Sequence, residues 1–165
     1  MKIYLIRHGL AGERGTYADD RQRPLTKKGD RKTTRVAEHL LAIGIKFDLI
    51  LASPLVRASQ TAKILKKVGL SQTVTTFEPL QPDGNIEECL EWLQKWQGDQ
   101  ENSSIALVGH QPDLGNWVEM LLWGTVKGQI TVKKAGVVGL KLPSIGTPIS
   151  RSTLFLLTSP KWMGV

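Results

Sequence analysis

The chain has 165 residues, 41% of them hydrophobic and 22% charged, which is typical of one globular domain (residues 1–165) with an ordinary core. Its 22 basic and 15 acidic residues give a net charge of +7, which favours acidic or phosphorylated partners. The basic residues occur in short separate runs, without the aromatic-basic repeats or finger spacing of nucleic-acid-binding proteins, so no nucleic acid is expected as a partner.

The cysteine content and the hydrophobic segments indicate the compartment. Cys89 is the single cysteine, so an internal disulfide is excluded and a reducing compartment is favoured. The apolar start is interrupted by Arg7 and His8, unlike a signal peptide, and no stretch reaches membrane-spanning length. We therefore expect a cytoplasmic protein without a membrane partner.

The first structured segment is an apolar run, residues 3–6, that ends abruptly in Arg7, His8 and Gly9. As a buried β-strand it would deliver a cation and an imidazole to the carboxyl edge of a sheet. That edge is where open α/β sheets bind ligands.

A polar, turn-rich loop from Leu10 to Arg23 follows, and a helix is predicted after it. Thr26 is a typical N-cap residue, the apolar residues between 36 and 41 recur at helical spacing, and Gly44 is a typical terminator. The basic residues of its first turns are interpreted as a solvated face, and His39 as a structural or surface residue.

Phe47 to Ala52 is predicted as a second buried strand that leads directly into a helix. Ser53 is expected to cap that helix and Pro54 to occupy its first position, where both residue types are favoured. Arg57 then lies in the first turn, where its guanidinium can reach back over the strand end and where free N–H groups favour an anion.

Two further strand–helix units follow. Thr73 to Glu78 is predicted as a strand near a sheet edge, and residues 86–96 as an amphipathic helix whose apolar face includes Cys89 as a core residue rather than a nucleophile. After a polar turn over Gln97 to Ser103, a fourth strand from Ser104 to Val108 runs directly into His110.

The C-terminal part has a different pattern. A helix opens at Pro112 or Asp113 and closes at Gly124, and no helix is predicted beyond it. Alternation of strands and helices through residue 124 predicts an α/β fold of three layers, a largely parallel mixed sheet with helices on both faces. Antiparallel strands are expected near the C-terminus. The β-like segments there are Ile130 to Val132, Val137 to Leu142 and Ser152 to Leu157.

Three predicted strand ends carry two arginines and two histidines to one edge of the sheet: Arg7, His8, Arg57 and His110. The planar fork of arginine binds phosphoryl oxygens in bidentate fashion. A neutral histidine can attack phosphorus, and a second can stabilise the charge that develops. Because the arginines supply positive charge, a metal-independent phosphoryl-transfer site is expected. Walker loops, metal-ligand clusters and nucleophile elbows are missing from the sequence.

Four blocks of sequence, in this order, resemble the histidine phosphatase superfamily, which includes phosphoglycerate mutases and acid phosphatases. The small size, the short loop over residues 10–23 and the closing residues 158–160 are similar to its SixA-type branch, the protein phosphohistidine phosphatases. The four blocks are Leu5 to Gly9, Pro24 to Gly29, Ser53 to Ala62 and Val108 to His110.

The resemblance implies roles for the residues at the strand ends. His8 would be the nucleophile that forms a phosphohistidine intermediate, and Arg7, Arg57 and His110 would hold the phosphoryl oxygens. It implies no metal or other cofactor. The implied partner is a phosphorylated protein carrying phosphohistidine, or a small phosphorylated molecule.

One departure from the family pattern bears on the substrate. Many members carry a glutamate after the third strand as general acid, whereas the segment 78–83 has a proline or a glutamine there. Asp20, Asp83 and Glu78 are possible substitutes, and Asp20, Arg23 and Asp83 are candidate substrate-pocket residues. Because phosphoesters need leaving-group protonation more than phosphoramidates do, P–N cleavage is favoured. The alternatives are a small-molecule phosphomonoesterase and a catalytically idle phosphoprotein-binding module.

Overall fold

The bounds of the strands and helices come from a computed structural model that describes residues 1–96 and 102–165. In these residues, strands and helices alternate as far as residue 123, and two strands follow. The strands are β1 (Lys2–Arg7), β2 (Leu49–Ala52), β3 (Val74–Thr76), β4 (Ser104–Gly109), β5 (Val137–Lys141) and β6 (Thr153–Thr158). The helices are α1 (Lys27–Ala42), α2 (Val56–Val68), α3 (Ile86–Lys95) and α4 (Asp113–Trp123).

All six strands form one mixed sheet in the order β3-β2-β4-β1-β5-β6. The four strands from β3 to β1 are parallel, so their carboxyl ends lie at the same edge. β5 is antiparallel to β1, and β6 is antiparallel to β5. The expected α/β sheet with antiparallel C-terminal strands is thereby confirmed, and β3 is the edge strand predicted from the sequence.

The sheet separates two hydrophobic cores, because alternate residues of each strand point to opposite faces. Along β1, Ile3 and Leu5 belong to one core and Tyr4 and Ile6 to the other. The first core is completed by the apolar faces of α3 and α4, including buried Cys89, and the second by those of α1 and α2. Helices therefore cover both faces, as the three-layer prediction requires.

The helix boundaries follow largely from local residues. The Thr26 hydroxyl accepts a hydrogen bond from the Gly29 N–H at 2.9 Å, which is the predicted N-cap of α1. Gly124 ends α4 with a φ of 72°, a left-handed conformation that favours glycine. His39 is exposed on α1, in agreement with its interpretation as a surface residue.

Three expectations about local structure were wrong. α2 begins at Val56 rather than at Pro54, and the hydroxyl of Ser53 lies 2.8 Å from a ring nitrogen of His110 instead of capping the helix. The segment Ile130 to Val132 is not a strand, because its backbone N–H groups donate to the side chains of other residues.

The part of the predicted polar turn over residues 97–101 lies outside the described residues. None of the described helices has both the length and the apolar character needed to cross a membrane.

Candidate active site

The ends of β1, β2 and β4 meet at one point of the sheet edge. β1 and β4 pair in a register that places Arg7 beside Gly109, and the His8 N–H donates to the Gly109 carbonyl at 3.1 Å. The N–H of Ser53, directly after β2, donates to the carbonyl of Val108 at 2.9 Å. Three strand ends are thus locked together by backbone hydrogen bonds, and the residues that follow them share one site.

The imidazole of His8 is buried and held in one tautomer. Its Nδ1 lies 2.7 Å from the carbonyl oxygen of Gly9. Because a carbonyl only accepts hydrogen bonds, Nδ1 carries the proton and Nε2 keeps a free lone pair. Burial, followed by the neighbouring His110 ring and the positive charges of Arg57 and Arg7, lowers the pKa of His8 to about 3, despite the opposing hydrogen bond to Gly9. The side chain is therefore a neutral imidazole with a free lone pair at ordinary pH.

His110 lies beside His8, with the two ring centroids 5.2 Å apart. Its Nε2 is 2.8 Å from Oγ of Ser53, which also accepts from the Leu55 N–H at 3.3 Å. When the Ser53 hydroxyl directs its proton at Nε2, the ring proton of His110 is on Nδ1. That Nδ1 is buried and has no hydrogen-bond partner among the described residues. Burial, followed by the charges of Arg57 and Arg7, lowers the pKa of His110 to about 3.

Arg7 and Arg57 place two cations against this histidine pair. Nη1 of Arg7 donates to the Val132 carbonyl at 3.0 Å, and Nη1 of Arg57 donates to the Asp20 carbonyl at 2.8 Å. The Nε atoms of both arginines are buried without a hydrogen-bond partner in the described residues. Buried donors of this kind are rare in folded proteins. Together with Nδ1 of His110, they provide unused donors for a bound anion.

Asp20 and Arg23, two predicted pocket residues, extend the site on its outer side. Nε of Arg23 is 2.7 Å from Oδ1 of Asp20, and Nη2 of Arg57 is 3.2 Å from Oδ2. The hydrogen bond from Arg23, followed by the charge of Arg57, holds the pKa of Asp20 below its ordinary value despite partial burial. The carboxylate is thus ionised and shared between two arginines.

Asp83, the third predicted pocket residue, is placed elsewhere. It lies in the turn before α3 with a φ of 62°, close to the carboxyl group of Asp113 at the start of α4. The interactions found among the described residues join Asp83 to Asp113 and not to His8 or His110. Asp20 is therefore the predicted acid that the fold brings to the histidines.

Sequence reasoning missed two residues that contribute to the site. Oγ1 of Thr61 accepts from the Gly9 N–H at 3.0 Å and donates to the Arg57 carbonyl at 2.8 Å, which ties the His8 loop to α2. Thr61 falls inside the third family block, so its position was the available signal. Lys134 lies close enough to Arg7 and Arg23 for their charges, after burial, to lower its pKa. In the sequence it is one of the basic residues that occur in short separate runs.

The family comparison agrees with this geometry. The model of the histidine phosphatase superfamily (branch 1) matches residues 3–101. The chain belongs to this superfamily. An uncharacterised protein of Picosynechococcus sp. is 44% identical over 166 residues, with 99% of each chain covered. The phosphohistidine phosphatase SixA of Escherichia coli (strain K12) is 28% identical over 151 residues, covering 89% of this chain and 90% of its own length.

Solved structures of superfamily members have the same fold. A structure of the protein histidine phosphatase SixA complexed with tungstate superimposes with a TM-score of 0.84 at 23% identity, covering 99% of each chain. The alpha-ribazole phosphatase from Shigella flexneri gives a TM-score of 0.65 at 20% identity, covering 97% of each chain. The resemblance to the SixA-type branch of the superfamily that the sequence predicts is confirmed.

Cationic side chains are concentrated at this site. Across residues 1–96 and 102–165, no three His, Cys, Asp or Glu side chains lie together in a way that could hold a metal ion. Arg7, Arg57 and Arg23 lie near the two neutral histidines, with Asp20 as the nearby carboxylate, and Lys134 lies near Arg7 and Arg23. This arrangement is suited to a phosphoryl dianion, whose oxygens accept hydrogen bonds from planar guanidinium groups.

Proposed function

We propose that the protein is a phosphohydrolase that removes the phosphoryl group from phosphohistidine on a partner protein, through a phosphorylated His8 intermediate. One observation carries this proposal. The free Nε2 of His8 shares a buried site with three donors that lack partners among the described residues, on Arg7, Arg57 and His110. A nucleophile beside unused cationic donors is the arrangement that phosphoryl transfer requires.

The reaction proceeds in two steps. In the first, the Nε2 lone pair of His8 attacks phosphorus and the P–N bond to the substrate histidine breaks, so that the substrate imidazole leaves and takes up a proton. In the second, water attacks the phosphorylated His8, the new P–N bond breaks, and inorganic phosphate is released. The hydrogen bond from Nδ1 to the Gly9 carbonyl stabilises the positive charge that the His8 ring gains during attack.

The surrounding donors stabilise the transferring group. Nε of Arg7, Nε of Arg57 and Nδ1 of His110 are already buried and in place, so they need little reorganisation when charge builds on the phosphoryl oxygens. The low local dielectric strengthens these interactions relative to water. Asp20 holds Arg57 and Arg23 in place before a substrate phosphoryl group binds.

The state of Asp20 supports a phosphoramidate substrate. A carboxylate whose pKa lies below its ordinary value is a poor proton donor at neutral pH. An alcohol leaving group needs such a donor because its own pKa is high, whereas an imidazole leaving group depends less on one. P–N cleavage therefore fits this site better than hydrolysis of a phosphomonoester.

A basic groove between α1 and α2 supports a macromolecular substrate. It has a volume of about 550 Å³ and begins at Leu25, whose side chain lies beside Gly9. Four cations and one carboxylate, Asp30, line it, and none of the cations forms a salt bridge within the described residues. These four are Lys27 and Arg31 from α1 and Lys63 and Lys67 from α2. The groove suits an acidic surface of the partner protein around the phosphohistidine.

Phosphomonoester hydrolysis is the second candidate, since a similar fold is found in the alpha-ribazole phosphatase from Shigella flexneri.

Compartment and domain organisation complete the proposal. We propose a cytoplasmic location, supported by the buried free thiol of Cys89, and a single domain over residues 1–165.

Comparing three substrates tests the proposal. A phosphohistidine-bearing protein, free phosphoramidate and simple phosphomonoesters are incubated with the enzyme, and phosphate release is measured. We expect both P–N compounds to be hydrolysed and the esters to react far more slowly. Preferential hydrolysis of the esters would favour the phosphomonoesterase, and no hydrolysis of any compound would favour the idle binding module.

Charge reversal in the groove tests the protein substrate separately. Lys63→Glu combined with Lys67→Glu should raise the KM for the phosphoprotein, because two attractive charges become repulsive. The KM for free phosphoramidate should stay unchanged, since that substrate is too small to reach the groove from His8. Equal effects on both substrates would contradict docking in the groove.

A further inference from the structure

A second carboxylate, far more buried than Asp20, lies behind the site on α4. Glu119 has 0% exposure, and its two oxygens accept hydrogen bonds from four consecutive backbone N–H groups. Oε2 accepts from Lys127 and, at 2.8 Å, from Gly128. Oε1 accepts from Gln129 at 2.5 Å and from Ile130 at 2.7 Å.

This cluster contains no cation side chain. None of the salt bridges among the described residues involves Glu119, so its charge is balanced by backbone dipoles alone. Burial would raise the pKa of Glu119, but the four N–H groups together bring it below its ordinary value. An ionised carboxylate held in this way fixes the conformation of residues 127–130, because each of these N–H groups would otherwise lose its partner.

The fixed segment leads directly to Arg7. Gln111 bridges it, accepting from the Val132 N–H at 3.1 Å and donating to the Ile130 carbonyl at 3.1 Å. The Val132 carbonyl then accepts from Nη1 of Arg7 at 3.0 Å. Three residues further on, the Ala135 N–H donates to the carbonyls of Arg7 and His8.

We infer that Glu119 is a positioning residue, which orients the Arg7 guanidinium by holding the segment that carries the Val132 carbonyl. The inference rests on the proposed function only for the role given to Arg7. The chain of contacts runs from the Glu119 carboxylate through residues 127–132 to Nη1 of Arg7, with Gln111 as a brace.

Arg7 depends on such a support. The Val132 carbonyl is the hydrogen-bond acceptor found for its side chain within the described residues, and Nε has none. A long arginine side chain that loses its one acceptor gains rotamer freedom, which must be lost again when the phosphoryl group binds. Displacement of Val132 would therefore misplace the Arg7 guanidinium, a hydrogen-bond donor to the phosphoryl group, without removing it.

A double-mutant cycle tests the inference. Glu119→Gln replaces one oxygen by an NH₂ group, which cannot accept from the two N–H groups it faces. We expect kcat/KM for free phosphoramidate to fall about 10- to 100-fold, since small misplacements of catalytic groups have effects of this size. In the Arg7→Ala background the same substitution should cause no further loss, because the group it positions is absent.

Two further variants separate positioning from general destabilisation. Val118→Ala, a core substitution on α4 next to Glu119, should lower the thermal midpoint without changing kcat/KM. Gln111→Ala should lower kcat/KM as Glu119→Gln does and be equally non-additive with Arg7→Ala. The Gln111 variant therefore tests the inference even if Glu119→Gln fails to fold. Equal losses in the wild-type and Arg7→Ala backgrounds would overturn the inference.

The affinity for inorganic phosphate gives a readout that needs no turnover. Measured by calorimetry, it should weaken in Glu119→Gln and in Arg7→Ala, with no additional weakening in the double variant. This cycle stands even if the enzyme proves inactive on phosphohistidine, so failure of the proposed function and failure of the inference are distinguishable. Unchanged phosphate affinity in Glu119→Gln would contradict the positioning role.

Discussion

The ends of β1 and β4 are parallel neighbours, and each delivers a buried histidine to the site, yet they hold it in opposite ways. His8 is tied through Nδ1 to a carbonyl oxygen of its own loop at 2.7 Å, which leaves Nε2 unprotonated. His110 is tied through Nε2 to the Ser53 hydroxyl at 2.8 Å, which leaves Nδ1 without a partner among the described residues.

This difference assigns different chemistry to two residues of the same type. A ring whose proton is held by a carbonyl presents a lone pair and can attack phosphorus. A ring whose distal nitrogen accepts from a hydroxyl presents an N–H and can only donate to a phosphoryl oxygen. The hydrogen-bond partner of each ring is thus the basis on which we propose His8 as the nucleophile and His110 as the donor.

The largest effect is expected from His8→Ala. Removal of the proposed nucleophile should reduce kcat for phosphohistidine hydrolysis by on the order of 10⁶-fold, the size of loss seen when a serine protease loses its nucleophile. Stopped single-turnover reactions with radiolabelled substrate should show no acid-labile phosphoenzyme. A normal circular dichroism spectrum is the control. Residual turnover within tenfold of the wild type would mean that another residue attacks phosphorus.

His110→Ala should have a smaller effect of a different kind. Loss of one donor to the developing charge is expected to reduce kcat roughly 10²- to 10³-fold. Because His8 is intact, the radiolabelled phosphoenzyme should still form, only more slowly. If this variant formed no phosphoenzyme while His8→Ala still did, the two assignments would be reversed.

Ser53→Ala should have a milder effect than either histidine variant. Without the hydroxyl, the proton of His110 is free to move to Nε2, and the donor at Nδ1 is lost in part of the molecules. We expect kcat to fall about tenfold, comparable to the loss of one ordinary hydrogen bond. Ser53→Thr keeps the hydroxyl and is the matched control, so an equal loss in both variants would point to packing instead.

The strand ends could be predicted from sequence because each is a local pattern. A short apolar run that stops at a polar residue marks the end of a buried strand, and parallel pairing then brings the three ends to one edge. Arg7, His8, Arg57 and His110 are all within five residues of such an end. Their meeting follows from topology, which the alternation of strands and helices also indicates.

The contacts that differentiate these residues could not be predicted in the same way. The segment Ile130 to Val132 has strong β-propensity, but its N–H groups are taken by Glu119 and Gln111, whose side chains come from a helix and a loop. The β-propensity of a segment does not predict hydrogen bonds to side chains that are distant in the sequence. Likewise, Asp20 and Asp83 are equivalent candidates in sequence, and only the fold brings Asp20 to Arg57.

The smallest expected effect is an absence of titration in the unliganded enzyme. Burial, aided by neighbouring positive charge, lowers the pKa of both His8 and His110 from 6.5 to about 3. The ¹⁵N shifts of both rings should therefore stay those of neutral imidazole between about pH 8 and about pH 5. Saturating phosphate should raise both pKa values, since a dianion favours the charged form.

The same shifts determine the direction in which pH changes stability. Between pH 6.5 and about 3, the unfolded chain binds protons at these two positions that the folded chain does not bind. The free energy of unfolding should therefore decrease as the pH falls through this range, as denaturant titrations can measure. His8→Gln and His110→Gln should each reduce this pH dependence. A histidine whose replacement leaves this pH dependence unchanged must have the same pKa in the folded and the unfolded chain, which would contradict the lowering of its pKa by burial at that strand end.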